Sequence, residues 1–234
     1  MRPLPFPFPL HIGTDICHIP RIVDILRSRH CARFIRRVLT PEELRNNNPA
    51  ISRTLRAVEE ITVKKTVGFA GVGGTGQALP RRGKKKWLEE EHGEESDLDC
   101  WEAKLQEEED LSPEALRLYR RAGQFMAGRF AAKEAAFKAH PHLRLRFHDI
   151  LILPSSSAAN LIGKDMVYEK STAPMAIIKT PNRPQMARIS ISHDGLYSTA
   201  TCVGFEADPE ADEPGREEPS KGWFARLSRL WSSG

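Results

Sequence analysis

The chain has 234 residues, of which 40% are hydrophobic and 28% charged, with a formal net charge of +4, so one packed domain or two small ones are open. The mildly basic balance suits a soluble protein that handles phosphates or an acidic partner, and it lacks the large uniform excess of a nucleic-acid binder. Cysteines at 17, 31, 100 and 202 form no CxxC pair and no zinc spacing, and no apolar run approaches the roughly 18 residues of a membrane span, which argues against a disulfide framework, a zinc site and a spanning helix.

The opening "MRPLPFPFPLHIGTDI" holds too many prolines for a signal-peptide core or a helical transit peptide. "LHIGTDICHI" predicts a short strand ending near Asp15, and a helix follows over 20–30. After "RFIRRVL", Thr40, Pro41 and Glu43 spell an N-cap, a first helical proline and an acid three residues on, which is a capping box. That helix pauses at "NNNP" and resumes over 51–65.

Residues 68–110 run from glycine-rich "GFAGVGGTGQALP" through basic "RRGKKK" to acidic "LEEEHGEESDLD". Segregated charge with few aromatics buries too little apolar surface to offset the entropy of ordering, so a disordered insertion is expected. "GVGGTG" lacks the Lys-Ser/Thr that a phosphate-binding loop needs. Ser112, Pro113 and Glu114 then start one long helix through "GRFAAKEAAFKAH". "HDILILP" and "PMAIIKT" are strands, and "ARISISHDGLYSTATCVGF" is a hairpin joined around Asp194-Gly195. From 206 the chain is a Glu/Pro-rich tail that ends in "KGWFARLSRLW". There Trp223, Phe224, Leu227, Leu230 and Trp231 share one helical face, which either packs on the domain or contacts a membrane surface or a partner.

The long helix poses the chemical question. Arg129 and Lys133 are four apart, as are Glu134 and Lys138, among Ala127, Gly128, Ala131, Ala132, Ala135 and Ala136. A solvated stripe with an internal Glu–Lys pair accounts for the charges at about a few tenths of a kcal/mol. The small residues also let a ligand or another backbone come close. Asp15 reads either as a local turn acceptor or, with Glu134, as half of a magnesium site, since Mg²⁺ is held by one or two carboxylates plus water and substrate phosphates. His193, directly before Asp194-Gly195, either satisfies the turn or faces a ligand.

"IGTDICHIPRI", "RFIRRVLTPEEL", "FMAGRFAAKEAAFKA" and "ISISHDGLYSTA" occur here in an order that resembles the holo-acyl-carrier-protein synthase family of phosphopantetheinyl transferases, in its fungal mitochondrial-type branch. The likeness spans about 11–60 and 112–205. It implies an α+β fold of the single-repeat 4'-phosphopantetheinyl transferase type, with an antiparallel sheet on a long helix over 11–205, interrupted by the insertion and assembled as a homotrimer. It also implies transfer of the 4'-phosphopantetheine arm of coenzyme A to a serine of apo acyl carrier protein. Adenosine 3',5'-bisphosphate leaves, Mg²⁺ assists, and fatty acid biosynthesis is served. By the same resemblance Asp15 and Glu134 match the metal ligands, and Lys138 matches the lysine at the reacting phosphates. Arg21, Arg129 and His193 match positions around coenzyme A, and Lys133 of the same motif is grouped with them. Glu134 is the candidate base for the serine proton. Glu43 is explained by its capping box and is not counted as catalytic. A mitochondrial matrix location follows the branch, with cytoplasm the alternative. The rival readings are a transferase for peptide- or polyketide-synthase carriers, and a non-catalytic coenzyme A-binding scaffold.

Overall fold

The computed structural model describes residues 9–46, 48–70, 101, 103, 111–154, 173–180 and 184–205. Strand β1 (Leu10–His18) leads into helices α1 (Ile19–Leu26), α2 (Cys31–Val38), α3 (Pro41–Asn46) and α4 (Pro49–Ala70). Helix α5 (Pro113–Lys138) follows, then a 3-10 turn at Phe147–Asp149 and strands β2 (Ile150–Pro154), β3 (Pro174–Ile178), β4 (Gln185–Asp194) and β5 (Tyr197–Phe205). The five strands form one antiparallel sheet in the order β1-β5-β4-β3-β2. This is the expected α+β architecture. None of the described helices is long and apolar enough to cross a membrane.

Helix α5 is the axis of the fold. Ser112 caps it, its side chain accepting a hydrogen bond from Ala115 N, with Pro113 at the first helical position. Such a cap contributes about 1 kcal/mol. The helix packs against β1, β5 and β4 on one side and α1 and α4 on the other. That enclosure explains its alanines: Ala127, Ala131, Ala132, Ala135 and Ala136 are all fully buried. Tyr119, Met126 and the β2–β3 aliphatics fill the larger gaps.

The Thr40 capping box forms, with Thr40 N donating to Glu43 Oε2 at 2.7 Å and Glu43 N donating to Thr40 Oγ1 at 3.1 Å. β1 continues three residues past Asp15, to His18, because its antiparallel pairing with β5 carries on to Tyr197. α1 stops at Leu26, earlier than expected, and α2 is a separate short helix. At the β4–β5 turn the two-residue loop is Gly195-Leu196, one position later than the Asp-Gly dipeptide suggests. Asp194 pairs with Tyr197, and Gly195 takes a φ of +48° that favours glycine.

Helix α4 extends to Ala70, and Trp101 is helical and joins the buried core, so both ends of the expected insertion meet described structure. Residues 71–100 and the tail with its amphipathic segment lie outside the described residues.

Candidate functional site

Strand alternation puts His11, Gly13, Asp15 and Cys17 on the inner face of β1, toward α5, while Leu10, Ile12, Thr14 and Ile16 face outward. Gly13 packs directly on α5: an added Cβ there would stand 1.9 Å from Ala135 O and 2.9 Å from Lys138 Cβ. Two residues on, Asp15 meets the end of the helix. Its Oδ1 accepts a hydrogen bond from Lys138 Nζ at 2.8 Å, and the same ammonium donates to Thr14 O at 2.7 Å.

Glu134 lies one turn before Lys138. Burial pushes its carboxyl above the usual range, the nearby Asp15 carboxylate adds to the rise, and Lys138 opposes it. Arg21 reaches the same face. Its guanidinium lies 5.7 Å from the ring centroid of Phe130, the residue one turn before Glu134, and donates to Cys17 Sγ at 3.6 Å. Asp15, Glu134, Lys138 and Arg21 therefore gather along one edge of α5. Two carboxylates and two cations there can hold a divalent cation and phosphate oxygens. No cluster of three or more His, Cys, Asp or Glu side chains suited to a metal occurs among the described residues, so a cation there would complete its shell with water or substrate oxygens.

Arg129 and His193 belong to a second feature. A cleft of about 240 Å³ is lined by Phe125, Gly128, Arg129, Pro154, Pro174, Ile191 and His193. Gly128 lets β4 approach α5, since a Cβ there would stand 2.9 Å from His193 Cε1. His193 Nδ1 is 2.6 Å from Ser198 Oγ, its cross-strand neighbour, and partial burial holds the imidazole below its ordinary pKa. Arg129 is buried, its guanidinium carbon 5.1 Å from the Phe125 ring centroid, and its Nε has no hydrogen-bond partner. Burial lowers its pKa and Glu43 opposes that shift. A buried cation with an unused donor beside a cleft is an anion-accepting arrangement. Five residues of helix put Arg129 and Glu134 about 140° apart around α5, so the helix stands between the two features.

Lys133 corrects the sequence expectation. It does not line the cleft or join Asp15. Its side chain is fully buried and its Nζ donates to Glu43 Oε2 at 2.6 Å and to Phe147 O at 2.9 Å. Burial lowers its pKa and Glu43 opposes that. Lys133 and Glu134 are adjacent in sequence, which turns them about 100° apart on the helix, one inward and one to the edge. Glu43 is the residue that sequence reasoning undervalued. The capping box is real, yet its carboxylate also binds Lys133 and accepts from Ile152 N at 3.1 Å. No local pattern signals those contacts. Ser198 and Phe125 were also missed, although hairpin register could have found the first.

Cys17, Cys31 and Cys202 are buried free thiols. Burial raises all three, Cys31 to about 11 and Cys202 to about 12, so at neutral pH they are protonated thiols rather than nucleophiles.

No family model matches the chain. Among curated proteins it is similar to the mitochondrial 4'-phosphopantetheinyl transferase B of Aspergillus fumigatus, 29% identical over 206 residues that cover 87% of this chain and 98% of that protein. Among solved structures it is similar to the holo-ACP-synthase of Plasmodium yoelii, at 17% identity and a TM-score of 0.40, covering 85% of this chain and 95% of that one. It is also similar to a holo-(acyl-carrier-protein) synthase of Bacillus anthracis in complex with CoA (3',5'-ADP), at 21% identity and a TM-score of 0.37, covering 84% and 96%.

Proposed function

We infer that the chain is a phosphopantetheinyl transferase of the holo-acyl-carrier-protein synthase family, in its fungal mitochondrial-type branch, and that it transfers the 4'-phosphopantetheine of coenzyme A to a serine of an apo acyl carrier protein. The observation that carries this reading is the pairing of Asp15 with Lys138 beside a raised Glu134, in a chain whose likeness to the Aspergillus transferase runs almost end to end.

In that reaction the serine oxygen forms a bond to the phosphorus that bears the pantetheine arm. The bond from that phosphorus to the bridging oxygen breaks, and adenosine 3',5'-bisphosphate leaves. Positioning and charge compensation carry most of the catalysis in such transfers. Lys138 and Arg21 face the phosphate oxygens. Glu134, partly buried beside Asp15 and one turn from Lys138, accepts the serine proton. Arg129 and His193 hold the phosphates of coenzyme A at the cleft, which satisfies the idle Nε of Arg129.

Mg²⁺ fits the donor set. Asp15 and Glu134 bring two carboxylates close enough for one to raise the pKa of the other, and a divalent cation relieves that repulsion. Bound there, it supplies positive charge to the pyrophosphate oxygens.

The active assembly is a homotrimer in this reading, with each site built where copies meet. The outer sheet face supports that. Leu10 pairs with Phe205 and Ile12 with Val203, while Ile16 is 65% exposed and Ile12 70%. Exposed apolar patches of this kind mark contact surfaces. The setting proposed is the mitochondrion, where the holo carrier serves fatty acid synthesis; the location follows the Aspergillus relative's name.

The test is to incubate the chain with coenzyme A, Mg²⁺ and an apo carrier of mitochondrial type and to weigh the carrier by intact mass. A gain of one phosphopantetheine that disappears with EDTA and with Glu134→Ala supports the reading. No gain on mitochondrial-type, peptide-synthase or polyketide-synthase carriers, despite measurable coenzyme A binding, replaces it with the non-catalytic scaffold.

A further inference from the structure

Helix α5 carries two cations one turn apart into the interior, Arg129 at 8% exposure and Lys133 at 0%. Among the described residues one carboxylate, Glu43, interacts electrostatically with both. An arginine fork offers two parallel N–H bonds and is the natural partner of a carboxylate. Here the carboxylate goes to the lysine instead. Its Oε2 accepts from Lys133 Nζ at 2.6 Å and from Thr40 N at 2.7 Å, and its Oε1 accepts from Ile152 N at 3.1 Å. Arg129 forms no ion pair among the described residues and leans on Phe125 at the wall of the cleft, its Nε unused.

We propose that Lys133 is a positioning residue for the coenzyme A site. By holding Glu43 in the capping box of α3, it denies Arg129 an internal partner and leaves that guanidinium unneutralised for a phosphate in the cleft beside Gly128 and His193. The proposal rests on the transferase reading above, which identifies the anion as a phosphate of coenzyme A. Two positive charges share one negative charge where water has little access, and an anionic ligand completes the balance.

The arrangement predicts opposite effects for the two members of one ion pair. Removing the ammonium leaves Glu43 a buried carboxylate without its cation and within electrostatic reach of Arg129, and the arginine is then captured before ligand arrives. Removing the carboxylate takes away the competitor. An ion pair that served only to hold α3 against α5 gives losses of the same sign from either side.

The experiment measures binding of adenosine 3',5'-bisphosphate by titration calorimetry, transfer kinetics, and thermal melts on the full chain. Lys133→Met is expected to weaken binding about tenfold and to raise KM for coenzyme A more than it lowers kcat. Glu43→Gln is expected to bind as well as the unaltered chain or better, and Glu43→Gln with Lys133→Met to return within about threefold of it. Equal losses in the two single variants, or a double variant as weak as Lys133→Met, overturn the proposal. If Lys133→Met does not fold, Glu43→Gln and the double variant decide, and weak binding by either, in a chain that melts cooperatively, overturns it. An unaltered chain that binds no bisphosphate overturns the transferase reading itself, whereas a binding-competent one with equal losses overturns the role of Lys133 alone.

Discussion

Gly13 on β1 lies against the backbone of Ala135 on α5 so closely that a Cβ would stand 1.9 Å from the Ala135 carbonyl oxygen. The contact fixes the strand-to-helix distance two residues before Asp15, and it is that distance which lets Asp15 reach Lys138. Gly13→Ala forces β1 away from α5. Overpacking of this kind costs about 1–3 kcal/mol, and the backbone origin of the clash puts this one at the upper end. Transfer should fall further than the lost stability explains, because the Asp15–Lys138 pair opens. Melting and single-turnover transfer on the same sample check this. Near-normal transfer in a destabilised chain would show that the strand-to-helix distance does not matter to the site.

Glu134→Gln keeps the size of the side chain and removes its charge. If Glu134 takes the serine proton, transfer should drop by about 10²–10⁴-fold, the usual range for a lost general base, while coenzyme A binding changes little. Equal losses in kcat and in coenzyme A affinity would assign the residue to binding instead. The pH dependence follows from the sign of its shift. The working form is the carboxylate and its pKa is raised above 4.5, so the acid limb of kcat/KM should inflect at a higher pH than an ordinary glutamate gives. Added Mg²⁺ favours the carboxylate and should move that limb down.

How far this could be read from the chain depends on the range of the interactions. Caps and turns are local. Ser112, Pro113 and the Thr40–Glu43 box announced two helix starts, and Asp194-Gly195 announced the hairpin to within one residue. The α5 charges could not be sorted locally, because their fates depend on what lies across from each. Lys133 finds Glu43 90 positions away in sequence, and Lys138 finds Asp15 123 away. Where a sheet covers one side of the helix and helices the other, Arg129 and Lys133 find no solvated stripe, so their i,i+4 pairing dissolved into a cleft residue and a core residue. The motif resemblance named these residues together as candidates. It did not separate Arg129, at the wall of the cleft, from Lys133, buried against Glu43.

The basic segment of α1 and α2 leads to a prediction about the carrier. Arg29, Arg33, Arg36 and Arg37 are exposed around α2, close in sequence to Arg21. A basic face of this kind suits an acidic partner, so encounter with an acidic carrier should be steered by charge and weaken as salt rises. Arg33→Glu with Arg37→Glu should raise KM for the carrier about tenfold at low salt and leave KM for coenzyme A unchanged. An ionic-strength profile as steep as that of the unaltered chain would place the docking face elsewhere.

The separation of Glu134 from Arg129 around α5 makes the proposed trimer testable by mixing. If the catalytic edge of one copy works with the cleft of another, Glu134→Gln and Arg129→Ala chains are each crippled alone but complementary together. In a closed ring each interface draws one surface from each neighbour. A random equimolar mixture therefore places an intact edge opposite an intact cleft at about one interface in four. Dissociating the two variants, reassembling them together and measuring transfer should recover about a quarter of full activity. Reassembling each alone should recover none. Sites confined to one copy give no recovery in the mixture, and that result would leave the apolar outer face of β1 and β5 to serve some contact other than a shared active site.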